Sequence, residues 1–258
     1  MQLFRKNNDG HLTLNETMNL KRTMIWLSLF AIAMGFMETA VVIYLRKMFY
    51  PNGFGFPLAP VDTQIALVEF CREAATIFML IGIGILAGKN VSQRFAFFIY
   101  AFAVWDICYY VFLKLFLGWP ESIFTWDILF LIPVPWVGPV LAPVLISCTM
   151  ILLAMVIMRF NLIDINTRLN FFERLLLVLS SLLAIMSFVW DYFGYMSEHT
   201  ELTMWAPGKG AELFKELTLY SPSHYNWWMF GTAMLIALSA IFIFYKRMRS
   251  MLQKFSTN

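Results

Sequence analysis

Three charged residues lie close together in a stretch that is otherwise apolar enough to cross a membrane. The segment Ala66–Leu80 carries Glu69, Arg72 and Glu73 at positions i, i+3 and i+4. This spacing places all three side chains on one face of a helix. Arg72 could therefore act as an internal counter-charge for one carboxylate and leave the other free to titrate or to bind a cation. The alternative is a salt bridge that only fixes helix packing.

Other helices are predicted to bring acidic residues to a similar depth. Glu38, Asp106 and Asp191 each lie seven or eight residues from the predicted outer end of their helix. At 1.5 Å per residue they lie ~10 to 12 Å below the outer boundary, as does Glu69, and Glu73 lies ~16 Å below it. A charged side chain at the centre of a membrane helix costs about 2.5 to 3.5 kcal/mol. We therefore expect these five acids to face one another or a polar cavity, and they form the candidate catalytic set, with individual roles unassigned.

The dipeptide Trp-Asp occurs three times, and two copies extend to W-D-x-x-x-Y. In those two copies Asp and Tyr share a helix face, so each Tyr hydroxyl could point to the same cavity as its Asp. The opposing explanation is that Trp and Tyr form an aromatic belt at the headgroup level. With Arg72, the predicted substrate-binding residues are Trp105, Tyr110, Asp127, Trp190, Tyr195 and His224.

The composition of the chain indicates the class of protein. Of its 258 residues 60% are hydrophobic and only 14% charged, and the mean hydropathy is +0.69. Soluble globular proteins are nearer a quarter charged. The apolar blocks are long enough to span ~30 Å of hydrocarbon, and no ten-residue alternation indicates a β-barrel. The sequence therefore predicts an all-α integral membrane protein, a six-helix bundle with spans at about 24–46, 64–87, 93–117, 137–159, 171–196 and 225–247.

Charge in the connections predicts the orientation. Of the 19 Lys and Arg residues, thirteen fall on the side of the two termini, five on the other side, and Arg72 inside a helix. By the positive-inside rule, both termini are expected in the cytoplasm of a cell with a bacterial-type inner (plasma) membrane. We expect 1–23 to be a polar cytoplasmic segment without a cleavable signal peptide, 24–247 the transmembrane domain and 248–258 a basic cytoplasmic tail. The net charge of +3 reflects this bias and gives no reason to expect nucleic acid as a partner.

Two long connections on the predicted outer side contain segments of their own. Ile123–Ile132 is apolar, too short to cross a membrane, and followed by three prolines within seven residues. It could be a re-entrant segment or a Trp-rich loop at the interface. The connection 197–224 is rich in acidic residues, and a short surface helix is predicted at Gly210–Leu219. Function is more often found on long, shaped loops, which favours a site on this side.

Further patterns limit the cofactors. Around Gly10 the chain partly matches a calcium-binding EF-hand loop, but Arg5 would occupy the first ligand position, so a polar turn is the better interpretation. The three cysteines fall inside spans without CxxC spacing and are assigned to packing. No His lies deep in a span, which argues against bis-histidine haem. The carboxylates could still hold a divalent metal through oxygen ligands.

Three classes of function are compatible with these residues. A proton- or cation-coupled carrier of a small solute needs buried carboxylates that change protonation, although the inner halves of the spans are expected to lack charge. A membrane-embedded enzyme could use paired carboxylates, or a carboxylate-bound metal, on a lipid or isoprenoid substrate. A structural subunit would pair its charges with a partner protein or a second copy. Membrane lipids surround the protein in every case, and the sequence leaves the three classes open.

Overall fold

In the computed structural model of this chain, the described residues are 14–132, 134–162, 167–199 and 218–256. Each of the six helices in these ranges is long and apolar enough to cross a membrane, which confirms the predicted all-α, six-helix membrane fold. Residues 5–13 of the EF-hand-like stretch and residues 210–217 of the predicted surface helix lie outside the described residues. The helices are α1 (Leu14–Phe49), α2 (Thr63–Ala87), α3 (Val91–Leu117), α4 (Leu141–Asn161), α5 (Phe171–His199) and α6 (Trp227–Ser256).

The first and last helices are longer than the apolar spans predicted for them. α1 begins at Leu14, ten residues before the predicted span, and α6 ends at Ser256, nine residues after it. Helical structure thus continues into the polar segments at both ends of the chain. Lys, Arg and Gln have good helix propensity, so a helix need not end where its apolar stretch ends. We call the end of the bundle that holds these two helix ends the termini side, and the opposite end the hairpin side.

Side chains and backbone conformation terminate several helices. The Asn90 carboxamide accepts a 2.9 Å hydrogen bond from the Gln93 amide at the start of α3. Gly118 ends the same helix in the left-handed region, with φ 68°, a conformation that glycine adopts without steric cost. At the start of α5, Asn170 and Glu173 each accept a 2.8 Å bond from the other's backbone amide, which is a reciprocal capping box.

Helix α3 lies at the centre of the bundle and packs against α1, α2 and α4, while α6 packs against α5 and α4. A Cβ on Gly35 of α1 would lie 2.9 Å from Cys108 Cβ and 3.0 Å from the Trp105 carbonyl oxygen of α3. Gly84 of α2 meets the Arg94 carbonyl oxygen and Phe98 Cβ at the same 2.9 Å. Glycine therefore allows both neighbouring backbones to approach α3 closely, as is common between membrane helices.

The outer surface of the bundle is apolar. Large side chains such as Phe78, Leu86 and Trp228 are 73%, 84% and 88% exposed. A water-soluble domain rarely exposes apolar area on this scale. The surface therefore suits contact with lipid hydrocarbon.

The connection between α3 and α4 forms an antiparallel hairpin of two strands, β1 (Trp126–Phe130) and β2 (Trp136–Pro139). Asp127 pairs with Gly138 in its register. A Cβ on Gly138 would lie 2.7 Å from the Phe188 ring of α5, so glycine lets the hairpin lie flat against that helix.

The far end of the hairpin reaches deep between the helices. The Phe130 ring lies 6.4 Å from the rings of both Phe102 and Trp105, measured between centroids. Phe102 is 15 residues from the end of α3, which corresponds to ~22 Å along the helix. Non-helical backbone is tolerated at such depth only where protein or a cavity surrounds it. The segment Ile123–Ile132 therefore re-enters the bundle and is not a flat interfacial loop.

Candidate functional site

A cavity of about 170 Å³ opens on the hairpin side between α1, α2 and the hairpin. Tyr109 of α3 lies at its back, and the connection from Tyr50 to Val61 contributes to its mouth. The wall is largely apolar, from residues such as Val42, Leu45 and Ile65. The charged residues that line it are Arg46, Glu69, Arg72, Glu73 and Asp127.

Arg72 joins α1 to α2 at the floor of this cavity. Its Nε donates to Glu69 Oε2 at 2.8 Å, and its Nη1 forms an ion pair with Glu38 Oε1. The Thr76 hydroxyl lies 3.4 Å from the other Glu38 oxygen. The predicted role of Arg72 as an internal counter-charge thus has a geometric basis, and the single guanidinium serves two carboxylates.

Glu73 is held differently from its neighbours. It is buried, and its Oε2 accepts a 2.9 Å hydrogen bond from the Leu131 amide at the deep end of the hairpin. Within the described parts of the chain, no Lys, Arg or His side chain forms an ion pair with it. It is therefore a cavity-lining carboxylate whose charge is not directly neutralised.

A second ion pair lies nearer the mouth. Arg46 and Asp127 are 7% and 1% exposed, and Arg46 Nη2 donates to Asp127 Oδ1 at 3.0 Å. The guanidinium carbon is 4.1 Å from the centre of the Phe54 ring and 3.7 Å from that of Trp119. Such cation–π contacts favour a planar guanidinium over a Lys ammonium.

The ion pair between Arg46 and Asp127 uses one atom of each side chain. Other polar atoms of these two side chains are left without a hydrogen-bond partner among the described residues. Arg46 Nη1 and Asp127 Oδ2 are buried, and neither has a partner with hydrogen-bond geometry within the described ranges, although Tyr110 stabilises the charged form of Asp127. Asp127 lies outside the six spanning helices; burial raises its pKa to about 6, and the attraction of Arg46 opposes that increase. Buried polar atoms are rarely left unpaired, so these atoms suit contact with a bound molecule or water.

Aromatic residues cover the mouth of the cavity. The Tyr50 hydroxyl accepts a 2.9 Å bond from the Ala59 amide, and the Tyr50 ring meets Phe54 edge-on. Burial raises the pKa of the Tyr50 hydroxyl. Phe54 also contacts Trp119 edge-on. These contacts hold the connection between α1 and α2 over the Arg46 guanidinium.

The structure places Asp106 outside the cavity lining. It is buried between α3 and α4, where Asp106 Oδ2 accepts a 2.8 Å bond from the Ser147 hydroxyl. The neighbouring Trp105 lies in the hydrophobic core. Tyr110, four residues after Asp106 as the W-D-x-x-x-Y spacing requires, is buried near Asp127.

Asp191 of α5 lies apart from the cavity and orders the connection that precedes α6. Its Oδ2 accepts from the Tyr220 hydroxyl at 2.8 Å, and its Oδ1 accepts from the Ser223 hydroxyl at 2.9 Å and the His224 amide at 3.1 Å. These bonds satisfy both oxygens of the Asp191 carboxylate, so the presence of an acidic residue here does not require a bound ligand.

The remaining predicted residues of this region are also absent from the cavity lining. The Tyr195 ring packs against Tyr220, with 5.3 Å between centroids. Trp190 is 51% exposed, as expected for an aromatic belt, and His224 is exposed. The five acids and their aromatic neighbours thus separate into the cavity, the α3–α4 contact and the α5–α6 connection.

No three Asp, Glu, His or Cys side chains within residues 14–132, 134–162, 167–199 and 218–256 are placed to share one metal ion. In the cavity, guanidinium groups lie between most of the carboxylates. A divalent metal site built from these side chains alone therefore has no support in the geometry.

Arg46 and the ion pair between Glu173 and Arg247 were not singled out by the sequence analysis. Arg46 was counted only as a loop cation, although its position three residues before the end of α1 allowed it to face inward. On the termini side, Glu173 is fully buried and Arg247 donates to both its oxygens at 2.7 and 2.6 Å. The expectation that the inner halves of the spans lack charge was therefore wrong; the Asn-x-x-Glu pattern at 170–173 was the available signal.

The fold and the cavity define a multi-pass membrane protein with a largely apolar pocket on the hairpin side that also holds charged side chains. Comparison with protein-family models, with curated proteins and with solved structures finds no match to the chain. Its function is therefore argued from the cavity itself.

Proposed function

We propose that this protein is a proton- or cation-coupled carrier of a small solute. The observation that carries the proposal is Glu73, a mid-helix carboxylate that lines the cavity and has no ion-pair partner among the described residues. Ionisable groups inside membrane helices commonly mark ion or solute pathways. A coupling proton or cation would neutralise Glu73 in the part of the transport cycle in which the solute is not bound.

The size and position of the cavity support this proposal. Its volume of about 170 Å³ is below the ~300 to 1,000 Å³ of typical drug-sized sites, so it suits a small solute. The termini-side half of the bundle is filled by a core that includes Leu80, Phe97, Ile157 and Phe244. This arrangement corresponds to a carrier conformation open to the hairpin side and closed to the other.

We further propose that the termini side faces the cytoplasm of a bacterial-type inner membrane, so that the cavity opens outward. The excess of Lys and Arg on the termini side supports this orientation. A protease-sensitive tag after the last residue tests it. The tag should resist protease added to intact cells, and cleavage there would reverse the orientation.

Uptake by proteoliposomes tests the carrier function. Vesicles containing the protein, with an imposed proton or sodium gradient, should accumulate solute from a labelled metabolite mixture. Glu73→Gln keeps an oxygen that can accept from the Leu131 amide but cannot carry a negative charge. We expect this variant to lose gradient-driven uptake, while Glu121→Gln, an exposed acid outside the cavity lining, keeps it. Gradient-driven uptake that is equal in both variants would refute the proposal.

An enzyme acting on a lipid or isoprenoid is the second candidate, and the apolar wall between α1 and α2 favours it. These two helices make few contacts with each other, so an apolar chain could lie between them. Ala66→Phe would fill the cavity at a buried lining position, whereas Ala75→Phe adds the same ring on an exposed face. A lipid converted by the wild type and by Ala75→Phe but not by Ala66→Phe, without any solute uptake, would favour the enzyme.

A further inference from the structure

The charges around the cavity do not balance. Two guanidinium groups and three carboxylates line it: Arg46, Arg72, Glu69, Glu73 and Asp127. Arg46 is paired with Asp127, and Arg72 serves both Glu69 and the nearby Glu38. Among the described residues the lining thus has an excess of negative charge, and Glu73 is the carboxylate that no described cation bonds.

An unpaired donor lies in the same cavity. Arg46 is more than nine-tenths buried, its Nη2 is used by Asp127, and its Nη1 has no acceptor in the part of the chain that the structure describes. A guanidinium N–H buried without an acceptor is costly, so a ligand oxygen that accepts from it gains binding energy. The cavity therefore contains the Glu73 carboxylate, which can accept from a positively charged ligand group. It also contains Arg46 Nη1, which can donate to a ligand oxygen.

The separation of these two groups sets the length of the ligand. Arg46 bonds to Asp127, and Glu73 bonds to the Leu131 amide, four residues further along the hairpin. Leu131 directly follows β1 and the register is irregular between Ile128 and Phe130, so about 13 Å of extended chain is an upper limit for the separation of residues 127 and 131. Hydrogen bonds of ~3 Å at each end then leave several ångströms between the two polar groups of a ligand.

We infer that the cavity binds a small zwitterion, whose ammonium group donates to Glu73 and whose acidic oxygen accepts from Arg46 Nη1. This inference rests on the proposed function, since it names the class of solute. The shared chemistry is that of a free amino acid with separated charges and of an aminoethyl phosphate lipid head. The apolar wall then contacts the methylene groups between the charges.

Three probes of equal chain length separate the contributions of the two charges. These are 4-aminobutyrate, butylamine and butyrate, titrated by calorimetry into the full-length protein in nanodiscs of phosphatidylcholine. We expect 4-aminobutyrate to bind about tenfold or more tightly than either single-charge analogue, since each charged hydrogen bond contributes about a factor of ten or more. Glu73→Gln should abolish the advantage over butyrate.

Arg46→Lys tests the other end of the ligand. A Lys ammonium keeps the positive charge beside Asp127 but lacks the second, forked donor. This variant should fold and lose the advantage of 4-aminobutyrate over butylamine. Lys47→Arg, at the exposed neighbouring position, is the matched control and should bind as the wild type does.

The source of the zwitterion is tested with nanodiscs of phosphatidylethanolamine or phosphatidylglycerol. If the lipid head occupies the cavity, phosphatidylethanolamine should copurify with the wild type but not with Glu73→Gln, and should displace 4-aminobutyrate. If a free solute is bound, 4-aminobutyrate should bind equally in both lipids.

Two results would overturn the inference. Binding of butylamine as tight as that of 4-aminobutyrate would show a cation site without a role for Arg46. No binding of any probe or lipid head, together with gradient-driven uptake of some other solute, would reject the zwitterion and leave the carrier intact. The carrier proposal itself would be refuted only by a separate result, namely that uptake does not depend on Glu73.

Discussion

Replacing Arg46 by Met should destabilise the protein by an amount that increases with pH. The wild-type guanidinium bonds to the 1%-exposed Asp127 and contacts the rings of Phe54 and Trp119. Removing it leaves a buried carboxylate with no bonded cation among the described residues. The cost of such a change is typically about 3 to 5 kcal/mol when the remaining group stays charged.

The protonation of Asp127 determines how much of this cost is seen. Burial raises its pKa to about 6 in the folded protein, above its ordinary value of about 3.9 in an unfolded chain. A raised acid pKa means that the folded state holds the proton more tightly, so stability falls as pH rises from about 4 to about 6. Without Arg46 the pKa of Asp127 is higher still, so the fall continues to higher pH.

The variant should therefore lose about 3 to 5 kcal/mol of unfolding free energy at pH 8. At pH 5, where Asp127 is largely protonated, the main loss is that of the two buried ring contacts, and the cost should be about 2 kcal/mol. Titration with sodium dodecyl sulfate in mixed micelles, followed by circular dichroism, measures both values. Lys47→Met is the exposed control, and Arg46→Met combined with Asp127→Asn should remove the difference between the two pH values. An equal cost for Arg46→Met at pH 5 and pH 8 would refute the assigned coupling.

Two further predictions concern helix packing and use the same unfolding measurement. Arg247→Met should cost about 3 to 5 kcal/mol of unfolding free energy because it leaves the fully buried Glu173 carboxylate without its bidentate partner. Arg249→Met, at an exposed position, should be nearly neutral. An equal effect of both variants would contradict the pairing. Gly35→Ala should cost about 1 to 3 kcal/mol because its Cβ meets α3 at 2.9 and 3.0 Å. Gly82→Ala, with nothing within 4 Å, should be neutral or slightly stabilising, and similar values for the two would reject the close approach of α1 to α3.

The periodicity of the sequence was sufficient to predict the helices and to predict which charged residues of the site share one helix face. Long apolar blocks predict membrane helices because unpaired backbone groups are too costly in hydrocarbon. The positions of Glu69, Arg72 and Glu73 on one face follow from 3.6 residues per turn, and Arg72 does bond to Glu69. Helix ends were less predictable, since α1 begins ten residues before its apolar block.

The hairpin could not be predicted from the sequence. Its strands are short, and their burial depends on Phe188 of α5, which is about 50 residues away along the chain. Its deep position provides the Leu131 amide that holds Glu73, so a backbone group remote in sequence completes the site.

The sequence by itself predicts which acids lie at a similar depth, but only the tertiary structure decided which of them meet. Depth is set by counting residues along one helix, whereas the partner of a side chain depends on the rotation and spacing of whole helices. Glu38 reaches Arg72 across α1 and α2, while Asp106 bonds to Ser147 and Asp191 to the connection before α6. Each buried carboxylate takes the nearest donor because leaving it unpaired is costly. Among the described residues Glu73 bonds to a backbone amide but to no cation, and the proposed function rests on this carboxylate.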